Sequence, residues 1–132
     1  MIVAAMRSPG GASAAILRAV RQEKVELLLS VPLAMEYEAV CLRPEHQMAA
    51  GLKEQEVHAF IDTLIAMAQP VKIHFLWRPQ LRDPADEMVL ETAVNGRADL
   101  LVTFNERDYG KVPGRFGIEV VTPHLAVKRI GK

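Results

Sequence analysis

The chain has 132 residues, half of them hydrophobic, with sixteen basic side chains balanced by sixteen acidic ones. That length suits one domain, expected over residues 1–132, with a core that needs no metal or disulfide staple. Zero formal net charge excludes a basic coat for duplex DNA, the lone Cys41 excludes an internal disulfide and points to a reducing, cytoplasmic compartment, and no apolar run approaches a membrane span of roughly 18 residues.

The opening Met1-Ile2-Val3-Ala4-Ala5-Met6 is apolar but lacks the positive start of a secretory signal. Ser8-Pro9-Gly10-Gly11 is the first turn. A helix is expected over 14–22, with Ser13 as its cap and Ile16, Leu17 and Val20 on one face. The short apolar run 25–29 reads as a buried strand ending at Ser30. Pro32 fits the first turn of a helix to about Leu42, and 43–51 reads as a loop. The next helix, 53–67, carries a stripe of Val57, Phe60, Ile61, Leu64 and Ile65 until Pro70 stops the pattern. A strand is expected over 71–77, then a helix opened by Asp83-Pro84 and ended by Asn95-Gly96. Residues 100–104 give the strongest strand, 105–117 a loop punctuated by Gly110, Pro113, Gly114 and Gly117, and 118–121 a last strand. Thr122-Pro123 caps a short terminal helix. Strands spaced by helices argue for a parallel sheet in an α/β layer fold, where ligands gather at the carboxyl ends of strands.

Three groups of acids ask for explanation. In Arg82-Asp83-Pro84-Ala85-Asp86-Glu87, Asp83 can cap the helix and Asp86 falls three residues later, so both can be helix-start chemistry. Asp86 also shares a face with Val89, Leu90 and Ala93, and a carboxylate atop a buried stripe needs a partner, a metal or water. Glu36 lies with Leu33, Tyr37 and Val40, and Glu38 with Met35, Ala39 and Leu42; both faces are apolar, so periodicity does not choose between them. Asn105, Glu106 and Asp108 come after the strongest strand, where α/β proteins build sites and where a plain strand-to-loop transition looks the same. Carboxylates converging on one sheet edge suit Mg²⁺ or Mn²⁺ rather than Zn²⁺.

Other candidates carry less. His46, His58, His74 and His124 have no short metal-ligand spacing, Cys41 reads as a small core residue, and Trp77 as packing. The turn at Ser8 lacks the Gly-Lys-Ser/Thr ending of a phosphate loop.

The run Arg82 to Glu91 and then Gly96-Arg97-Ala98-Asp99-Leu100-Leu101-Val102-Thr103 resembles the C-terminal half of a PIN domain, more narrowly the PIN proteins described as toxins of toxin–antitoxin systems. Arg7 to Ser13 and Ser30 to Pro44, with Glu36-Tyr37 and Arg43-Pro44, match the same pattern in order, so the resemblance covers nearly the whole chain. It implies a three-layer α/β/α fold with a central, mostly parallel sheet. It also implies metal-dependent cleavage of RNA, usually single-stranded, by three or four acids that hold Mg²⁺ or Mn²⁺. Carried over, Glu36 matches the acid on the second helix and Asp86 the acid opening the helix after the third strand. Asn105 stands where the fourth acid is expected, and Asp108 can contribute a carboxylate nearby. Glu36, Asp86 and Asp108 are thus the metal-ligand candidates, with Asn105 a fourth catalytic position orienting water or a second ion. Arg107, Lys111 and Arg115 in the same loop are candidate phosphate contacts, with a solvated loop as the alternative.

The family opens with an apolar strand ending in Asp-Thr-Asn, and Met1 to Met6 matches the segment just after that tripeptide. The N-terminal strand and its Asp are therefore expected to be missing, leaving backbone edges exposed inside the sheet. Three explanations stand open: a true start upstream, a degenerate and inactive form, or a strand supplied by a partner chain. With two full carboxylates rather than four, weak metal affinity and slow turnover are expected. The resemblance also implies RNA, a cognate antitoxin and a homodimer or higher oligomer as partners, and no membrane. Two competing functions are an inactive PIN-like binding or oligomerisation module and a small-ligand α/β domain with no need for metal.

Overall fold

Proline, serine and threonine set most of the helix starts in this chain. The computed structural model describes residues 1–74 and 80–131. Helix α1 (Ile2–Arg7) is succeeded by α2 (Ala12–Arg21), β1 (Leu28–Leu29), α3 (Val31–Cys41), α4 (Pro44–Ala50), α5 (Glu54–Met67) and β2 (Gln69–Pro70). After these come α6 (Pro84–Asn95), β3 (Leu100–Val102), two 3-10 turns (Glu106–Asp108 and Pro113–Phe116), β4 (Glu119–Val121) and α7 (Pro123–Ile130). Pro32, Pro44, Pro84 and Pro123 all sit in first turns, where the missing N–H costs nothing. The side chains of Ser30, Asp83 and Thr122 cap α3, α6 and α7 by accepting from Leu33, Ala85 and Leu125.

Several expectations are corrected. The cap of α2 is Gly11, because the turn closes through Gly11 N–H to Ser8 and Ala15 N–H already bonds back to Gly11. Ser13 is inside the helix, buried, and among the described residues its Oγ has no hydrogen-bond partner. The expected loop over 43–51 is α4, which buries no residue fully and so shows no apolar stripe to read. It starts at Pro44, has the Gln47 amide on the Leu42 carbonyl at 2.7 Å, and ends at left-handed Gly51. In α5, Val57, Ile61 and Leu64 are buried as expected, whereas Ile65 is exposed. The strand expected over 71–77 is only Gln69–Pro70; residues 71–74 form no strand, and 75–79 lie outside the described residues. The His74 N–H goes to the Asn95 side chain at 2.8 Å instead of to a strand neighbour.

The expected single central sheet is, among the described residues, two parallel two-stranded sheets, β1–β2 and β3–β4. Leu27 and Leu29 turn their carbonyls toward β2, accepting from Gln69 and Val71, so Leu28 directs its backbone groups to the other side. Asp99 and Thr103 are likewise bonded to β4, so Leu100 and Val102 direct theirs away from it. Among the described residues, β1 and β3 therefore each keep an unpaired edge.

Helices supply what two short pairs cannot. One face of β3–β4 carries Leu100, Val102 and Val121, packed with Ile16 of α2 and Ala126 of α7. The other carries Leu101 and Val120, packed with Leu90 and Ala93 of α6. A separate cluster gathers Ile2 and Met6 of α1, Leu17 of α2, Cys41 of α3, and Val57, Ile61 and Leu64 of α5, with Leu27 against it. Cys41 is fully buried, as expected, and burial pushes its thiol up to about 11. On the β1–β2 side, α6 meets the strands at Gly96. A Cβ there would stand 2.7 Å from Leu28 Cδ1 and 2.9 Å from Val71 Cγ2. The φ of Gly96 is an ordinary −87°, so it is the close approach that requires glycine, and the left-handed residue ending the helix is Arg97. Gly96→Ala is expected to cost about 1–3 kcal/mol by overpacking, read as a lower midpoint in urea unfolding.

Candidate active site

The first turn of α6 holds three acids with three different surroundings. Asp83 caps the helix through the Ala85 N–H at 2.8 Å. Glu87 is 4% exposed, and its Oε1 accepts from the backbone N–H groups of Gln80 and Leu81 at 2.5 and 2.6 Å. Two charge-assisted bonds of this kind pin the approach to the helix. Asp86 lies between them in sequence and is half-buried. Its Oδ1 accepts from the Tyr109 hydroxyl at 3.3 Å.

That hydroxyl arrives from the loop after β3. Asn105 N–H bonds to the Thr103 hydroxyl, Asp108 N–H to the Asn105 carbonyl and Tyr109 N–H to the Glu106 carbonyl, which winds the loop into a 3-10 turn. The turn aims Tyr109 into the cluster of Leu90, Ala93, Leu101 and Ile118, where it is 3% exposed. Asn105, Arg107 and Asp108 remain on the exposed side, as do Lys111 and Arg115 further on.

Burial raises the Asp86 carboxyl above its ordinary range, and the charges of Asp83 and Asp108 push the same way while the Tyr109 hydrogen bond opposes them. Burial also drives the Tyr109 phenol well above its usual value, with the Asp86 charge and hydrogen bond next in weight, and Tyr37 and Asp108 adding to it. The structure thus brings Asp83 and Asp108 within electrostatic reach of Asp86, and Tyr37 of α3 within electrostatic reach of Tyr109.

Glu36 and Glu38 flank the buried Leu33–Tyr37–Cys41 stripe of α3 on opposite sides, at about 100° per residue. Glu38 turns to α5, with its Oε2 3.5 Å from His58 Nδ1, and Glu54 lies 3.6 Å from Nε2 of the same ring. That removes Glu38 from the choice between the two acids. Glu36 is half-buried on the other flank. Among the described residues, no three His, Cys, Asp or Glu side chains come together closely enough to cage a metal ion.

A sequence model of the PIN domain matches residues 1–107. The chain belongs to the PIN domain family. No curated protein and no solved structure matches it. PIN domains are generally nucleases that use divalent metals. Among the described residues, no helix of this PIN domain is long and apolar enough to cross a membrane.

Hard carboxylate oxygens at Asp86 and Asp108 fit Mg²⁺ or Mn²⁺, which are held through one or two carboxylates and otherwise keep waters. Residues 1–107 take in Asp86 and Glu36 but end before Asp108 and Tyr109. Sequence reasoning passes over two residues. Tyr109 carries no signal beyond standing next to Asp108, because an aromatic after a polar loop reads as packing. Glu87 sits in the right turn but reads only as part of the acidic run. Replacing Glu87 with Ala is expected to leave two backbone donors without their acceptor. The expected cost is about 2–4 kcal/mol, measured as a fall in the thermal and urea midpoints.

Proposed function

We propose that this PIN domain is a metal-dependent ribonuclease whose site is centred on Asp86, and that it acts as the toxin of a toxin–antitoxin module. The observation that carries the reading is Asp86 itself, a half-buried carboxylate crowded by Asp83 and Asp108 and held by a phenol. Like charges gathered there repel one another, and a divalent ion relieves that repulsion. Asp86 and Glu36 would be the main ligands, with Asp108 and Asn105 orienting water or serving a second ion. When bound, the ion supplies Lewis-acid stabilisation of charge on the phosphate oxygens and a more acidic water. Arg107, Lys111 and Arg115 stand exposed along the loop that leaves β3 and would steady RNA phosphates.

The unpaired edges at Leu28 and at Leu100 and Val102 are places where a further strand could add. A second reading is an inactive PIN-like module whose partners are an antitoxin or further copies of itself. Asn105, where an acid is expected, points the same way.

Metal and salt separate the readings. Under the nuclease reading, Mn²⁺ raises the melting temperature in proportion to the logarithm of its concentration, and single-stranded RNA is cut only when it is present. Asp86→Asn is expected to abolish cleavage and the Mn²⁺ shift while the metal-free melt stays close to the parent. Cleavage at the parent rate in Asp86→Asn defeats the assignment, and an absence of any Mn²⁺ shift in the parent brings the inactive module forward. If the three cations touch phosphates, RNA affinity falls with salt, and changing Arg107, Lys111 and Arg115 together to Gln flattens the log–log slope by roughly two to three. An unchanged slope removes them from the interface.

A further inference from the structure

We infer that Tyr109 is the positioning residue of this site: its phenol fixes one oxygen of Asp86 and leaves the other to the divalent cation. The inference rests on the reading of Asp86 as a ligand. A free aspartate carboxylate turns readily about its last bond and offers either oxygen. Here the Tyr109 hydroxyl donates to Oδ1 at 3.3 Å, so Oδ2 is the oxygen left with a defined direction.

The donor is itself held. Its ring is 3% exposed among Leu90, Ala93, Leu101 and Ile118, and its backbone is tied on both sides. The Tyr109 N–H bonds to the Glu106 carbonyl, and the Tyr109 carbonyl takes the Val112 N–H, each at 3.2 Å. A buried phenol without a partner is costly, so the contact to Asp86 is enforced from the tyrosine side as well. The same turn carries Asn105 and Asp108, and Tyr37, next to Glu36, lies within electrostatic reach of the phenol. One side chain therefore ties α6 to the loop after β3. At 3.3 Å the bond is longer than the range of about 2.5–3.0 Å usual for an O–H donor.

Phenylalanine fills the same space without the hydroxyl, so Tyr109→Phe isolates the hydrogen bond. The test is Mn²⁺ affinity, monitored by the electron paramagnetic resonance of free Mn²⁺, for the parent, Tyr109→Phe, Asp86→Asn, the double variant and Ile118→Val. Ile118 belongs to the same core cluster, so its truncation reports lost packing alone. We expect Tyr109→Phe to weaken Mn²⁺ roughly three- to ten-fold, Ile118→Val to leave it unchanged, and Tyr109→Phe to add nothing once Asp86 is Asn. Parent-like affinity in Tyr109→Phe, with binding lost in Asp86→Asn, overturns the positioning role and leaves the metal reading standing. Equal weakening in Tyr109→Phe and Ile118→Val reduces Tyr109 to packing and overturns it too. Parent-like Mn²⁺ binding in Asp86→Asn overturns the metal reading and the role of Tyr109 together.

Discussion

The hydroxyls of Ser30 and Thr92 meet at 2.7 Å, and through that buried contact α6 is fastened to the junction of β1 and α3. The neighbours of the two hydroxyls set the direction of the bond. Thr92 gives its proton to the Met88 carbonyl at 2.8 Å, so Ser30 donates to Thr92 while it accepts from the Leu33 N–H. One serine therefore ends a strand, starts a helix and holds a second helix. One turn further along α6, Gly96 lets the helix lie against Leu28 and Val71. Leu90 and Ala93 of the same helix cover Leu101. Two-stranded parallel pairs have little stability of their own, and these two share no ladder bond. Helix α6 bridges them on one side, and α2, with Leu17 in the cluster beside Leu27 and Ile16 against Val121, joins them on another.

The same helix begins at the candidate site, and its three acids divide the work there. Asp83 satisfies a helix-end donor, and Glu87 satisfies two backbone donors ahead of the helix. Both are occupied by the fold. Among the described residues Asp86 meets only a neutral hydroxyl, in a place where burial and two like charges raise its affinity for a proton. Under the proposed reading that carboxylate would be the one to take a cation, and the anion-favouring N-terminus of α6 favours its charged form.

The parts of the chain with strong periodicity or unambiguous punctuation are legible from sequence. Helices α3, α5, α6 and α7 fall where their prolines, caps and apolar stripes put them, and strands β3 and β4 lie within the expected runs. The family likeness, visible in the order of Asp83-Pro84, Asp86 and the Ala98 to Thr103 run, matches the PIN domain found over residues 1–107. Helix α4 escapes because it fully buries nothing, and the cap of α2 because a glycine gives no side-chain signal. The division of the sheet cannot be read from short apolar runs, which announce strands but not their neighbours. At the site, the choice between Glu36 and Glu38 needs the position of His58 on α5, a long-range fact that helical periodicity does not contain. Tyr109 is hidden for the same reason: its partner is 23 residues away in sequence.

A phenol is a different kind of partner for Asp86 than an arginine would be. An arginine beside the carboxylate would keep it ionised by cancelling its charge, and a second cation would then find little to attract it. Among the described residues, no Lys, Arg or His forms an ion pair with Asp86. The Tyr109 hydroxyl lowers the proton affinity of Asp86 by hydrogen bonding alone, and its own pKa is driven so high that it does not add a competing negative charge. One carboxylate oxygen is committed to that hydroxyl, while burial and the neighbouring acids raise the affinity of the group for a proton. Burial and the neighbouring acids favour whichever cation arrives, and a divalent ion neutralises more of the crowded charge than a proton can. The acids that make Asp86 hard to ionise are, for that reason, the ones that under the proposed reading would make a metal the better occupant.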